Sequence, residues 1–326
     1  MYRLSRLANR RSAAAGCSSL SNGLTAVHTT RATLGAPRHL ATHSALTVPA
    51  LTAPDPGHAA QADHLQAVAS HLQTSGILKI TLSFPDPDSD YLKQLLLGLH
   101  RHQGHQLPIS HSASSGWFWD VRPNAANNSD VNGSSDAAID TSHKARSETM
   151  EDFPWHTDCS YEDPPPRFFA LQVLQHDRHG GGTLSIMNVS RLSALLTHET
   201  RAALARPEYE IGVPPEFTKD AGRRSIVGSL FAQDTTAGAT TMRFRGDILA
   251  PLTDGASTAL QELTRALSRA ETAGATHDTT TLHLTAQDMP TGTVLLVDNR
   301  RWLHARNHVR DPDRHLRRVR WDAVPF

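Results

Sequence analysis

The chain has 326 residues, 38% of them hydrophobic, with Lys+Arg and Asp+Glu balanced at 32 each, so it can bury one substantial core or two modest ones. The charge balance gives no pull toward nucleic acid or an anionic membrane surface, and no apolar run nears the roughly 20 residues that span a bilayer. Only Cys17 and Cys159 occur, which excludes a disulfide framework and fits a reducing compartment.

Residues 1–54 contain no Asp, Glu or Lys, while Arg3, Arg6, Arg10, Arg11, Arg31 and Arg38 punctuate a stretch rich in Ser, Thr and Ala. This is the composition of a mitochondrial transit peptide, and a matrix address is the expectation; a disordered tail with no address, in a cytoplasmic protein, is the alternative. The folded domain is expected over 55–326. In "HAAQADHLQAVASHLQTSG", Ala59, Leu65, Val68, Ala69 and Leu72 recur at helical spacing and Gly76 closes the pattern. Ile77–Leu82 alternates and reads as a strand, and Asp90–His102 as a second helix with Leu92, Leu95, Leu96 and Leu99 on one face.

Residues 123–142 hold almost no large apolar side chain and many turn formers, as expected of a mobile insertion, either a lid or a tolerated loop. Beyond it, strands are predicted at Phe168–Leu174, Thr183–Met187, Arg243–Ile248, Thr281–Leu284, Thr293–Val297 and Leu316–Trp321. Helices are predicted near Arg191–Leu196, Thr200–Ala205 and Ser257–Ala270. Many short strands with a few helices set between them predict a mixed but mainly β fold, a β-sandwich or jelly roll with helical cover.

Three stretches carry the chemistry. In "FPWHTDCSYEDPPPRFFALQV", His156 and Asp158 stand two apart, so an extended backbone would turn both toward one face and offer an imidazole and a carboxylate to one ion. Alone, such a pair in a chain with 20 histidines is weak evidence. In "GTVLLVDNRRWLHARNHVRDPDRHLRRVRW", an apolar strand and the turn-like Asp298-Asn299 precede His304, with Arg314 and Arg318 beyond. A distant His joined to the pair completes a two-histidine, one-carboxylate facial triad, which leaves positions open on non-haem Fe(II). The third stretch, "HDRHGGGTLSIM", sets Gly180, Gly181, Gly182 and Thr183 after a predicted strand.

Together, His156-Thr157-Asp158, the glycine turn ending in Thr183 and Leu184, "DNRRWLHAR" and "RHLRR" resemble the TauD/TfdA family of Fe(II)- and 2-oxoglutarate-dependent dioxygenases. Order and separation match over roughly Phe153 to Trp321, and the N-terminal third matches only loosely. The resemblance implies a double-stranded β-helix (jelly-roll, cupin-like) core with flanking helices. It implies that His156, Asp158 and His304 ligate iron and that Arg314 and Thr183 hold the far carboxylate of 2-oxoglutarate, a task suited to the planar, permanently charged fork of arginine. Arg318 falls where some relatives meet an acidic group of the substrate or lie beside the cosubstrate.

The implied reaction consumes O2 and 2-oxoglutarate, releases succinate and CO2, and hydroxylates or desaturates a small, carboxylate-bearing organic molecule. Related halogenases lack the carboxylate that Asp158 supplies, so halogenation is not expected. A homo-oligomer is compatible with this reading, and neither nucleic acid nor membrane is called for. The competing readings are a cupin-like zinc or manganese protein or metal hydrolase without 2-oxoglutarate, from which Arg314 with Thr183 separates the chain, and a non-catalytic binding module.

Simpler structural roles stand beside these. The three glycines also suit a plain flexible turn, and the run Arg314, Arg317, Arg318 and Arg320 a solvated strand edge. Cys159 reads as a small filler turned away from the ion, and "GWFWD" as packing aromatics or an aromatic pocket wall. Arg146, Ser147, Glu148, Arg243 and Arg245 are read as surface pairing groups that also lie within reach of a pocket.

Overall fold

Thr293–Asp298, "TVLLVD", is buried at every position, which only a central strand covered on both faces can satisfy. In the computed structural model, which describes residues 46–110, 116–123, 145–217, 224–234, 238–272 and 280–326, this strand is β13 of a six-stranded sheet. The sheet runs β1 (Ala50–Ala53), β2 (Ile77–Leu82), β13, β5 (Pro166–Gln175), β15 (His315–Ala323) and β3 (Trp119–Val121). Its neighbours are antiparallel except β1 and β2. A second, antiparallel sheet runs β12 (Thr281–Leu284), β6 (Leu184–Asn188), β14 (Trp302–Arg306) and β4 (Phe153–His156).

Period-two alternation assigns the faces. Leu295 and Val297 of β13, Phe169 and Leu171 of β5 and Leu316 of β15 pack with Leu184 and Ile186 of β6 and Trp302 of β14, forming one core that joins the two sheets. Val294, Leu296, Phe168, Val319 and Trp321 face the other way, against two helices. Each fully buried Leu or Ile here contributes roughly 1.5–3 kcal/mol of transfer free energy. The expected jelly-roll core with flanking helices is the observed architecture.

The helices are α1 (Ala62–Thr74) and α2 (Asp90–Gln103). In α2 the leucines at 92, 95, 96 and 99 are all buried, and the helix stops at Gly104, whose φ of 75° lets its N–H return to the Leu99 carbonyl. On the outer face of the second sheet, Met187 and Leu303 pack with α3 (Val189–Ala194), α4 (His198–Leu204) and α5 (Asp254–Thr272). The same cluster includes residues of two small sheets, β11 (Leu249–Pro251), β7 (Tyr209–Gly212) and β8 (Ser225–Gly228) in one, and β10 (Ala239–Met242) and β9 (Phe231–Asp234) in the other. Among the described residues no helix is long and apolar enough to cross a membrane.

Three expectations change. Arg243–Ile248 is not a strand: the Phe244 backbone is held by the Thr157 side chain, Arg245 pairs with Asp247 at 2.9 Å, and the chain turns through a short 3-10 helix at Gly246–Ile248. Ordered structure begins upstream of residue 55, because β1 pairs with β2 from Ala50↔Lys79 to Ala53↔Leu82. Asp158 is not on the strand of His156, since β4 ends there and Asp158 lies in a turn closed by the Glu162 N–H on the Cys159 carbonyl. Residues 1–45 of the N-terminal segment and 124–142 of the expected insertion lie outside the described residues.

Candidate metal centre

The second sheet brings two distant histidines side by side. β14 and β4 pair in the register His304↔His156, and the two rings lie 4.0 Å apart between centroids. The turn after β4 then delivers Asp158, whose Oδ1 lies 3.8 Å from His156 Nε2 and 3.6 Å from His304 Nε2. One ligand atom from each residue falls within 4.8 Å of the others, and all three side chains are buried.

Protonation favours a cation at this point. The His156 Nδ1–H donates to the Pro154 carbonyl at 2.8 Å, which fixes the tautomer and leaves Nε2 as the acceptor. Burial, and then the neighbouring His304, push His156 well below the usual imidazole range, so it is neutral. Burial pulls the Asp158 carboxyl up, but Arg318, His304 and Arg320 outweigh it and hold it well below the usual carboxylate range. Two buried polar atoms at this point, Asp158 Oδ2 and His304 Nδ1, have no hydrogen-bond partner. The converging set itself, two imidazole nitrogens and one carboxylate oxygen buried within 4.8 Å of one another, is the donor chemistry a divalent ion takes, so the residues fit iron.

Around the triad stand buried cations. Arg318 Nη1 lies 3.0 Å from Asp158 Oδ1. Arg314 is buried and its side chain makes no hydrogen bond or ion pair to any described residue; burial, then Arg306, push its guanidinium down to about 9. His156, His304, Arg306, Arg314, Arg318 and Leu184 line one narrow cleft, so a buried positive charge faces the place where an anion bound beside the metal would extend. Gly182, at φ +63°, is the reason Arg314 fits: a Cβ there would lie 2.7 Å from Arg314 Nε. The glycine turn is thus a close approach as well as a bend.

Other residues fall elsewhere. Thr183 is half-buried and tied by its backbone to Asn307, its N–H donating to Asn307 Oδ1 at 2.7 Å; the cleft is lined by its neighbour Leu184 rather than by Thr183. Thr157 turns away to Phe244. Cys159, at φ 52°, receives the Arg320 guanidinium on its sulfur. "GWFWD" divides: Trp117 and Phe118 pack under the helices, while Trp119 sits beside the inter-sheet core and borders an open cavity. Ser147 is buried in the cleft wall, Arg245 pairs with Asp247 and approaches the turn after β4, and Arg243 is buried with its guanidinium over Phe326.

Two residues of consequence have roles that the linear sequence does not announce. Asn299 binds the Asp158 backbone through its side chain. Arg306 donates to the carbonyls of Arg146, Ser147, Thr149 and Glu151, anchoring the segment ahead of β4. Arg306 shares strand parity with His304, which is the one hint that it faces the cleft.

A centre that leaves iron open positions and sets a buried arginine beside them is built for dioxygen and an anionic cosubstrate, the design of 2-oxoglutarate-dependent non-haem iron dioxygenases. The profile of the taurine catabolism dioxygenase TauD, TfdA family matches residues 98–320, and the chain belongs to that family. It is accordingly a dioxygenase dependent on Fe(II) and 2-oxoglutarate.

Solved structures share the fold. An asparagine oxygenase in complex with Fe(II), 2S,3S-3-hydroxyasparagine and succinate superposes with a TM-score of 0.59 at 16% identity, covering 83% of this chain and 92% of that one. The non-haem iron oxygenase OrfP with Fe and alpha-ketoglutaric acid gives 0.58 at 16% identity, covering 85% and 95%. OrfP with Fe, succinate and (3S)-hydroxy-L-Arg gives 0.57 at 17%, with the same coverage. No curated protein matches the chain by sequence.

Proposed function

We propose that this chain couples decarboxylation of 2-oxoglutarate to hydroxylation, or desaturation, of a small carboxylate-bearing molecule at the His156, Asp158 and His304 centre. The observation that carries the reading is a buried His156, Asp158 and His304 triad at metal-ligand spacing next to a buried Arg314 whose side chain has no hydrogen-bond or ion-pair partner among the described residues. His156, Asp158 and His304 would hold the iron, and Arg314 would take the far carboxylate of 2-oxoglutarate. When bound, Fe(II) supplies the redox chemistry with O2 that oxidation of an unactivated C–H bond demands.

The chain's own contribution is placement. His156 and His304 stand on paired strands, His156 presenting a neutral nitrogen, and Asp158 presents an ionised oxygen from the turn. Leu184, Phe169, Leu171 and Leu316 give the cleft apolar walls that exclude water. Arg318 is the substrate-side cation, its guanidinium sharing Asp158 Oδ1 with the metal position and meeting the acid group of the substrate. The asparagine and arginine derivatives bound by the asparagine oxygenase and OrfP support a substrate of amino-acid size.

The test is anaerobic addition of Fe(II) and 2-oxoglutarate to the purified chain, which should give the weak visible charge-transfer band of the chelate. Asp158→Ala should abolish it and Cys159→Ala should not; a folded protein with no band would refute the reading. For the address, the acid-free, arginine-bearing composition of 1–54 supports mitochondrial import. Residues 1–54 fused to a fluorescent reporter should carry it into mitochondria, and a diffuse cytoplasmic signal would refute that.

A further inference from the structure

Glu148 is a half-buried carboxylate that the iron centre does not use. It ends the 3-10 turn Arg146–Glu148 and faces a cavity of about 580 Å³ whose wall also includes Trp119, Arg122 and Arg314. Three acids line this cavity, and two of them are already neutralised: Asp120 meets Arg317 at 2.9 Å and His315 at 3.1 Å, and Asp313 meets Arg178 at 2.7 Å. Glu148 makes no side-chain hydrogen bond or ion pair to any described residue.

Its position is nonetheless built. Arg306 donates to backbone carbonyls on both sides of it, at Arg146 and Ser147 and at Thr149 and Glu151, and the Glu148 N–H itself donates to Ala145. A buried guanidinium two residues from His304 therefore holds this turn against the strand that carries the metal site. Ser147, the residue before Glu148, and Arg318 line the same cleft, and burial raises the Glu148 carboxyl while Arg318 and Arg122 act to lower it. A partly desolvated carboxylate with no direct partner gains from a cation supplied by a ligand.

We propose that Glu148 is the subsite for a cationic nitrogen of the substrate, so that the molecule oxidised carries both an ammonium group, on Glu148, and an acid group, on Arg318. The inference rests on the dioxygenase reading of the neighbouring centre and narrows its substrate to an amino acid or a betaine. Trp119, opposite Arg318 in the β15–β3 register and in the wall of the same cavity, offers an aromatic face to the body of such a molecule. A primary ammonium would be held by hydrogen bonds to Glu148, and a quaternary one by charge and the indole face.

Wild type, Glu148→Gln and Glu148→Asp, each loaded with Fe(II) and 2-oxoglutarate, are first checked for the chelate band and then assayed for succinate release. The panel comprises free L-amino acids, their N-acetyl counterparts, trimethylammonium betaines and acids lacking nitrogen. Wild type should turn over amine- or betaine-bearing members in preference to the others. Glu148→Gln should raise KM for them about ten-fold or more, the loss of one charge-assisted contact, with the KM for 2-oxoglutarate unchanged. Glu148→Asp should recover part of the loss, and N-acetyl compounds should not distinguish wild type from Gln. Trp119→Leu should weaken a betaine and spare a primary amine.

An intact band with equal KM values in wild type and Glu148→Gln, turnover confined to nitrogen-free acids, or turnover of no member of the panel would each overturn the assignment alone. A missing band in folded wild type would instead remove the dioxygenase reading and this subsite with it.

Discussion

Asn299 grips the Asp158 peptide from both sides, its side-chain oxygen accepting from the Asp158 N–H at 2.7 Å and its side-chain nitrogen donating to the Asp158 carbonyl at 2.9 Å. A further bond to the Pro166 carbonyl at 3.0 Å ties the same amide to the start of β5. The carboxylate of a turn residue is thereby held as firmly as if it stood on a strand. Asn299→Ala is expected to lower Fe(II) affinity about 10- to 100-fold, the usual cost of losing a group that orients a ligand. Anaerobic titration with Fe(II), or Co(II) as a spectroscopic substitute, measures this; unchanged affinity would mean that the turn holds itself.

Gly182→Ala should raise the KM for 2-oxoglutarate by about ten-fold or more, because the new methyl group collides with Arg314. Gly180→Ala is the control. Gly180 also has a positive φ, of 76°, but open space where a Cβ would go, so it carries the backbone strain without the collision. Equal effects from the two variants would assign the result to strain alone.

Arg306→Met should destabilise the protein by roughly 2–4 kcal/mol, since a buried donor to several carbonyls is replaced by a side chain that satisfies none. Urea denaturation reads this directly. Limited proteolysis should show new cleavage at 146–151, and a variant as stable and as resistant as wild type would contradict the anchoring role.

Acid should loosen the loop that precedes Arg314. The Arg178 ion pair at 2.6 Å, helped by backbone N–H groups and opposed by burial, holds the Asp311 carboxyl below the usual carboxylate range. A depressed folded-state pKa means that its contribution is present above the unfolded value of about 3.9 and is lost as pH falls below it. Denaturation at a series of pH values between about 5 and 2 should therefore show a shallower loss of stability in Asp311→Asn than in wild type. Parallel curves would show that Asp311 does not govern the acid limb.

Most long periodic segments were readable, and several short ones were not. Ile77–Leu82 and Thr281–Leu284 have the expected bounds, and β5, β13, β15, α1, α2 and α5 follow the expected runs closely, because each buries a continuous or regularly spaced apolar set. Strands such as Tyr209–Gly212 and Ser225–Gly228 are four residues long and half exposed, too little pattern to separate from loop. At the site, the residue types at 156, 158, 304 and 314 announce their chemistry, and the structure brings the first three to one point. The turn that carries Asp158, the clip from Asn299 and the anchor from Arg306 depend on partners far away in the chain. No local spacing encodes such contacts.

The strand order sets a timetable for biogenesis. β13 inserts between β2 and β5, β15 between β5 and β3, and β14 between β6 and β4, so in both sheets the late-made strands occupy inner positions between early ones. A nascent chain that has not yet released residues beyond 292 has β2, β5, β6 and β4 waiting with bare edges and only two of the three metal-binding side chains. Folding must therefore close over long sequence separations near the end of translation, where slow collapse and edge-to-edge association compete with it. Premature termination or a stall upstream of β13 would yield an aggregation-prone chain rather than a weakened enzyme.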